Sequence, residues 1–208
     1  MESTKSVNRG SRVALVAALI LASLTLAGCG IIAPLIHKPA HGAQTAPPEK
    51  TASPYTIEST SGGFTYQDAV SGYAVTFPHK PDVEPLVHNE TVHPANFVSF
   101  SDQMSSEFAS IGEVLNKTPN LRAQLLGWVQ SVNPTGQVGA SSHRLDGLEA
   151  ARAEFTAGDG AAIPSYLVGQ QGAIVVAGDG NNFYELVALG GTSDQRQAFF
   201  DSFKRVDK

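Results

Sequence analysis

The chain opens with one long apolar run and continues with shorter apolar segments that polar turns separate. The run covers residues 13–27 and contains only apolar or small side chains. As a helix, these residues would rise about 22 Å. A helix that crosses a bilayer needs roughly 20 residues, or about 30 Å, so this run is too short. Prolines interrupt the chain soon afterwards. The pattern therefore predicts a signal peptide, and a permanent transmembrane anchor is the weaker alternative.

Alternation of large apolar with small or polar side chains predicts the first β-strands after residue 63, and short apolar-rich runs between turn sequences predict the strands beyond residue 136. The predicted strands cover residues 64–67, 73–77, 83–92, 96–101, 137–143, 148–156, 163–168, 173–177 and 183–189. Turn sequences such as Asp146-Gly147 and Gly178-Asp179-Gly180 lie between several of them. Glycine reaches positive φ angles easily and aspartate bonds nearby backbone amides, so we expect antiparallel hairpins.

A helical period of apolar residues replaces this alternation in the middle of the chain. The apolar face of the predicted helix consists of Leu121, Leu125, Trp128, Val129 and Val132. Thr118 is the expected N-cap, Pro119 fits the first helical position, and Asn133-Pro134 ends the helix. Trp128 either packs in the core or lines a groove, and its place on the apolar face favours the core.

Two further segments have helical spacing. The first contains Met104, Phe108, Ile111 and Leu115. The second begins at Thr192-Ser193-Asp194-Gln195, which resembles a capping box, and continues with Phe199, Phe203 and Val206 at positions i, i+4 and i+7. Strands, helices, more strands and a closing helix predict an α+β domain in which helices pack on an antiparallel sheet.

The residues around the apolar run supply the other parts of a bacterial lipoprotein signal. Lys5, Arg9 and Arg12 form a basic region before the run, and Leu26-Ala27-Gly28-Cys29 closes it. These four closing residues resemble a lipobox. The resemblance implies a diacylglyceryl group on the Cys29 thiol, cleavage between Gly28 and Cys29, and acylation of the new amine, for example with palmitate. The alternative is an ordinary secretory peptide that happens to contain a cysteine.

This signal defines the domain organisation and the location. Residues 1–28 are a signal peptide that is removed, residues 29–62 are the lipidated N-terminus and a flexible linker, and residues 63–208 form a single globular domain. The linker is rich in small and polar residues and has few large apolar side chains. Two or three acyl chains anchor a protein stably in a bilayer. We therefore expect an extracytoplasmic protein, lipid-anchored in the bacterial cell envelope.

Charge and cysteine content narrow the function classes. The chain has 14 basic and 19 acidic residues, a net charge of −5. Loss of residues 1–28 removes three basic residues and one acidic residue, so the mature chain carries −7. This balance argues against a nucleic-acid partner, because phosphates demand clustered lysine and arginine. Cys29 is the single cysteine, so lipidation leaves no thiol for a disulfide, a zinc site or a nucleophile.

Candidate catalytic chemistry is concentrated in one group of residues, namely His79, His88, Glu90 and His93. His88 and Glu90 would share one face of a strand, where an imidazole and a carboxylate can bind a metal or act as an acid–base pair. Asp82 or Glu84 would supply a further carboxylate. The alternative, which we favour, is a set of exposed polar residues. Nucleophile-elbow, phosphate-loop and zinc-protease motifs are absent from the sequence, so we predict no catalytic residue, metal site or cofactor.

A resemblance to a known family covers most of residues 64–208. Tyr73–Pro81 resembles the F-x-V-x-F-P-x-x-P opening of secreted bacterial PsbP-like domains, with Tyr73 where phenylalanine is usual. Three later segments follow in the order of that group's landmarks: Gly147–Ala150, Phe183–Leu186 and Phe199–Lys204. The resemblance implies an α-β-α sandwich and an accessory binding or assembly role without catalysis. It carries over no functional residue, because the matching positions look like core and turns.

Two functions from different classes follow from these observations. The first is a membrane-anchored envelope lipoprotein with a non-catalytic binding or accessory domain, whose partner is an envelope protein, a glycan or a lipid. The second is a metal-assisted or acid–base hydrolase built around His79–His93. The tether, the acidic charge and the PsbP-like resemblance favour the first.

Overall fold

The computed structural model describes residues 54–86, 93, 95–133, 139–158 and 163–206. The strands in these residues are β1 (Tyr55–Thr60), β2 (Gly63–Asp68), β3 (Tyr73–Phe77), β4 (Asp82–Leu86), β5 (Ala95–Ser101), β6 (Ser106–Val114), β7 (Ala140–Leu145), β8 (Leu148–Thr156), β9 (Gln171–Asp179), β10 (Asn182–Gly190) and β11 (Lys204–Arg205). The helices are α1 (Leu121–Val132) and α2 (Ser193–Asp201), and a 3₁₀ turn covers Ser165–Leu167.

The strands form two antiparallel sheets. The large sheet has the strand order β4-β5-β6-β10-β9-β8-β7, and the small sheet has the order β1-β2-β3-β11. Helix α1 and the 3₁₀ turn pack on one face of the large sheet, while α2 and the small sheet pack on the other. This layered arrangement of antiparallel sheets and helices confirms the predicted α+β fold class. No helix in the described ranges is long and apolar enough to cross a membrane.

Each face of the large sheet has its own hydrophobic core. Along β9, Ile174 and Val176 face α1, whereas Val175 and Ala177 face the small sheet. All four side chains are fully buried. A strand that is buried on both faces reads as a continuous apolar run, because neither set of alternating side chains meets water.

The predicted helix around residues 104–115 is wrong, because most of this segment is strand β6. Phe108 and Ile111 lie on opposite faces of the large sheet and belong to different cores. Met104 lies in the turn before β6 and is 80% exposed. Since β6 is a central strand with both faces buried, apolar residues at helical spacing occur there without a helix.

The predicted strand at residues 163–168 is also wrong, because the 3₁₀ turn Ser165–Leu167 occupies it. Pro164 precedes the turn, and the Leu167 N–H donates to the Pro164 carbonyl at 2.9 Å. Proline cannot donate a backbone hydrogen bond, so it is a poor residue for an inner strand. Ile163 and Leu167 are nevertheless buried, which explains the apolar pattern.

The other predicted strands are found, β3 and β8 with the predicted ends and the rest with shifted ends. Strand β4 is Asp82–Leu86, so the rest of the prediction to Val92 lies outside the described residues. Strand β7 is Ala140–Leu145, three residues later than predicted at its first residue. The turn at Asp146-Gly147 joins β7 to β8, and Gly147 has the expected positive φ of 82°, while Asp146 also has a positive φ, 48°.

Helix α1 has the predicted apolar face but a different cap. Asn120 is the N-cap, since its side chain accepts a hydrogen bond from the Ala123 N–H at 3.0 Å. Thr118 and Pro119 therefore precede the helix, and the prediction of Thr118 as the cap is wrong. Asparagine outranks threonine at this position, so the later start agrees with intrinsic preference. Trp128 is buried and packs edge-on against Phe155 at 5.2 Å, which confirms core packing.

Strand β1 lies inside residues 29–62, where the sequence predicts a flexible linker. The prediction is wrong for residues 55–60, which pair in register with all of β2 from Gly63 to Asp68. The Tyr55 ring contacts the Tyr66 ring at 5.6 Å. The folded part therefore begins earlier than the predicted boundary at residue 63. Residues 29–53, including Cys29, lie outside the described residues.

Helix α2 begins with the predicted capping box. The Thr192 side chain accepts from the Gln195 N–H at 3.1 Å, and the Gln195 side chain accepts from the Thr192 N–H at 2.8 Å. Phe199 and Phe203 are both buried, whereas Asp201 and Lys204 are exposed, as predicted. The prediction that this helix continues through Phe203 to Val206 is wrong, because α2 ends at Asp201 and the burial of Phe203 comes from the turn into β11.

Candidate functional site

The predicted histidine and acid cluster is only partly within the described residues. His88 and Glu90 lie outside them, and His93 is exposed. His79 is exposed and its ring contacts the Phe100 ring at 5.1 Å. Among the residues that the structure describes, no three histidine, cysteine or acidic side chains form a group able to hold a metal ion. Convergence of the four residues stays a prediction.

A groove with an aromatic floor lies between α2, the end of β3 and the β1–β2 turn. Its volume is about 370 Å³. The residues that line it are Thr60, Gly62, Thr76, Pro78, Phe108, Gln195, Ala198, Phe199 and Ser202. We call this the α2 groove.

The floor of the α2 groove is held in place by packed rings. Phe199 contacts Phe77 at 5.2 Å and Phe108 at 5.3 Å between ring centroids. These three side chains are at most 2% exposed. This ring packing holds α2 in place over the core. The capping box fixes the residue at which α2 begins.

Polar groups on the rim of the groove are already bonded within the domain. The Ser202 hydroxyl accepts from the Thr76 N–H at 2.9 Å and so ties the end of α2 to β3. The Thr60 hydroxyl donates to the Gly63 carbonyl at 3.2 Å. The Gln195 side chain accepts from the Thr192 N–H in the capping box. The groove therefore offers an apolar surface with few uncommitted polar groups, and its volume lies at the lower end of ligand pockets.

A second cleft, of about 450 Å³, lies where two hairpin turns meet the C-terminal strand. Asp146 accepts from the Arg205 N–H at 2.8 Å and lies 3.8 Å from the Lys204 ammonium. Asp179 lies 3.6 Å from the Arg205 guanidinium. These contacts pair each carboxylate with a cation. They hold β11 against the two turns.

Tyr184 also lines this second cleft, but its hydroxyl is committed. It donates to the Ser71 carbonyl at 2.9 Å. Burial raises the pKa of Tyr184 to about 12, with nearby Asp179 adding to the effect and Arg205 opposing it. The phenol therefore keeps its proton at neutral pH and acts as a structural donor.

Two buried acids form the most unusual chemical feature that the sequence analysis missed. Glu113 on β6 and Glu185 on β10 are 1% and 2% exposed. Burial, and then the charge of Glu113, raises the pKa of Glu185 to about 8. Among the described residues, the Glu185 Oε1 atom has no hydrogen-bond partner. Glu185 is thus a neutral carboxyl group at neutral pH, held in the core that faces α1.

Comparison with known proteins gives structural similarity alone. No family model matches the chain, and no curated protein matches it. A crystal structure from Bacteroides thetaiotaomicron VPI-5482 is 12% identical, with a TM-score of 0.37, over 66% of this chain and 46% of that one, so the match spans under half of that protein. The solution structure of the cyanobacterial PsbP protein of Synechocystis sp. PCC 6803 is 13% identical, with a TM-score of 0.45, over 78% of this chain and 98% of that one.

Proposed function

We propose that this protein is a lipid-anchored protein of the bacterial cell envelope and that its domain binds a partner without catalysing a reaction. The anchoring part rests on Leu26-Ala27-Gly28-Cys29 at the end of the apolar run. Strand β1 begins at Tyr55, so about 25 residues separate the lipid from the fold. Even fully extended, that many residues span at most about 90 Å. The domain would therefore sample the space next to the membrane.

The α2 groove is the observation that carries the binding part of the proposal. Its floor is aromatic, and its rim groups are bonded within the domain, so an apolar ligand surface suits it better than a glycan that needs many hydrogen bonds. A net charge of −7 on the mature chain opposes contact with anionic lipid head groups. We therefore favour an apolar segment of an envelope protein as the partner, over a glycan or a lipid.

Filling the groove should abolish this binding. Ala198 is exposed on the groove wall of α2, and Ala123 is exposed on α1. We expect Ala198→Trp to reduce partner capture at least tenfold, because the indole occupies the space that the partner needs. Ala123→Trp adds the same side chain elsewhere and should leave capture unchanged. Cross-linking of the full chain in native membranes, with quantitative mass spectrometry of the captured proteins, measures both variants.

Equal capture by the wild type and by Ala198→Trp would contradict a binding role for the groove. Melting temperatures of both tryptophan variants show whether the fold is retained. A loss of capture in Ala198→Trp alone, with an unchanged melting temperature, supports the proposal. Capture of a glycan or a lipid in place of a protein would contradict the favoured partner class.

Replacing Cys29 with serine should remove the protein from the membrane-anchored lipoprotein fraction. Serine has no thiolate to accept the diacylglyceryl group, so lipid attachment and the cleavage that follows it should both fail. Metabolic labelling with a tagged fatty acid, followed by gel electrophoresis, measures the incorporation. We expect label on the wild type and none on Cys29→Ser. Equal labelling of the two proteins would contradict anchoring through Cys29.

A further inference from the structure

Strand β1 is an outer strand of the small sheet and, in the described part of the chain, pairs with β2 alone. In an antiparallel pair, alternate residues direct their N–H and C=O groups toward the partner strand and away from it. The Ala69 N–H donates to the Pro54 carbonyl at 3.2 Å, which shows that Pro54 faces β2. The outward peptide groups therefore belong to Tyr55, Ile57 and Ser59.

This edge lacks the features that keep the other outer strands of the domain from pairing. Strand β4 contains Pro85, and β7 contains His143 and Arg144. Strand β1 has no proline, lysine or arginine, and five of its six residues are exposed. Natural proteins protect exposed edges with proline, charge or short length. A six-residue edge with one acidic side chain is open to addition of another strand.

We propose that β1 pairs antiparallel with β1 of a second copy of this chain, about a two-fold axis at Ile57. In this register Ile57 opposes Ile57 of the second copy, and Tyr55 opposes Ser59. These are the residues whose peptide groups face outward, so each opposed pair exchanges two hydrogen bonds. The two small sheets then join into one continuous sheet.

The side chains fit the same register. Glu58 opposes Thr56 of the second copy, so no like charges lie directly across the axis. A symmetric register one residue along would place Glu58 against Glu58 and would oppose peptide groups that already bond to β2. Ile57 is partly buried against the core beneath the small sheet, so contact between two Ile57 side chains extends that core. These features favour a second copy over the strand of another protein.

Single cysteine substitutions test this register in the full chain. Opposed residues have Cα atoms about 5.5 Å apart, within disulfide range, so Ile57→Cys should form a cross-linked dimer on mild oxidation of membranes. Ser59→Cys is the matched control, because Ser59 of the two copies would lie about 14 Å apart. We expect at least tenfold more dimer from Ile57→Cys than from Ser59→Cys. The wild type, which keeps Cys29, shows how much dimer forms through that cysteine alone.

Equal cross-linking at the two positions, or no dimer from Ile57→Cys, would overturn the proposal. A charge test provides an independent measurement by sedimentation of the detergent-solubilised full chain. Ile57→Lys would oppose two like charges and should give a monomer, whereas Thr56→Lys would face Glu58 and should remain a dimer. A monomeric wild type, or a dimeric Ile57→Lys protein, would overturn the proposal.

Discussion

Replacing Phe203 with alanine is expected to lower the free energy of unfolding by about 3–5 kcal/mol. Phe203 is 1% exposed, and its ring contacts those of Tyr73 at 5.9 Å and Tyr184 at 5.2 Å. Removing the ring leaves a cavity between α2, β3 and β10. The surrounding sheet prevents these elements from moving together to fill it. Equilibrium urea unfolding measures the loss.

The matched control for this change is Lys204→Ala, at the next position along the chain. Lys204 is exposed, and its ion pair with Asp146 is 3.8 Å long, so the control should change stability by less than about 1 kcal/mol. A loss below about 1 kcal/mol in Phe203→Ala would show that Phe203 and the two tyrosine rings it contacts do not close this side of the core.

Replacing Glu185 with glutamine is expected to remove much of the loss of stability that the wild type shows as the pH rises. The pKa of Glu185 is raised from 4.5 to about 8 in the folded protein. The proton on Glu185 therefore stabilises the fold fully below about pH 4.5, and this contribution is lost as the pH rises through 8. At about 1.4 kcal/mol per pKa unit, the wild type should lose several kcal/mol across this range.

Urea unfolding at intervals from pH 5 to pH 9 measures this effect as the difference between the two proteins. Glu107, whose pKa burial also raises, contributes equally to both and cancels. Glu149→Gln changes an exposed carboxyl on β8 and should keep the slope of the wild type. The same slope in Glu185→Gln as in the wild type would contradict a neutral, buried Glu185.

The parts of the fold that the sequence predicted best are those with a local chemical cause. The capping box at Thr192 and Gln195 forms because both side chains satisfy nearby backbone groups. The β7–β8 turn forms because Asp146 and Gly147 accept positive φ angles. Such signals need no knowledge of the rest of the chain, so a single sequence reveals them.

Two of the errors, at β1 and β6, arose where tertiary pairing decides the structure. Strand β1 has a composition close to that of a linker and becomes a strand through its pairing with β2. Strand β6 is buried on both faces, which erases the two-residue period on which the prediction depended. Intrinsic strand preference is weak, so the surrounding sheet determined both outcomes.

The candidate site was invisible to sequence reasoning for a related reason. Thr60, Phe108 and Phe199 meet in the α2 groove although they are far apart along the chain. Glu185 follows an ordinary strand pattern, and its burial becomes apparent once β6 and β9 are known to flank β10. By contrast, the lipobox is a local pattern, so Cys29 was a prediction that the sequence alone supports.

Intact-mass spectrometry of the membrane-extracted wild-type protein tests the central proposal most directly. Lipid anchoring predicts a chain that begins at Cys29, with the added mass of a diacylglyceryl group and, where the amine is acylated, of a further acyl chain. An unmodified chain, whether it begins at Met1 or at a cleavage site other than Cys29, would contradict the account.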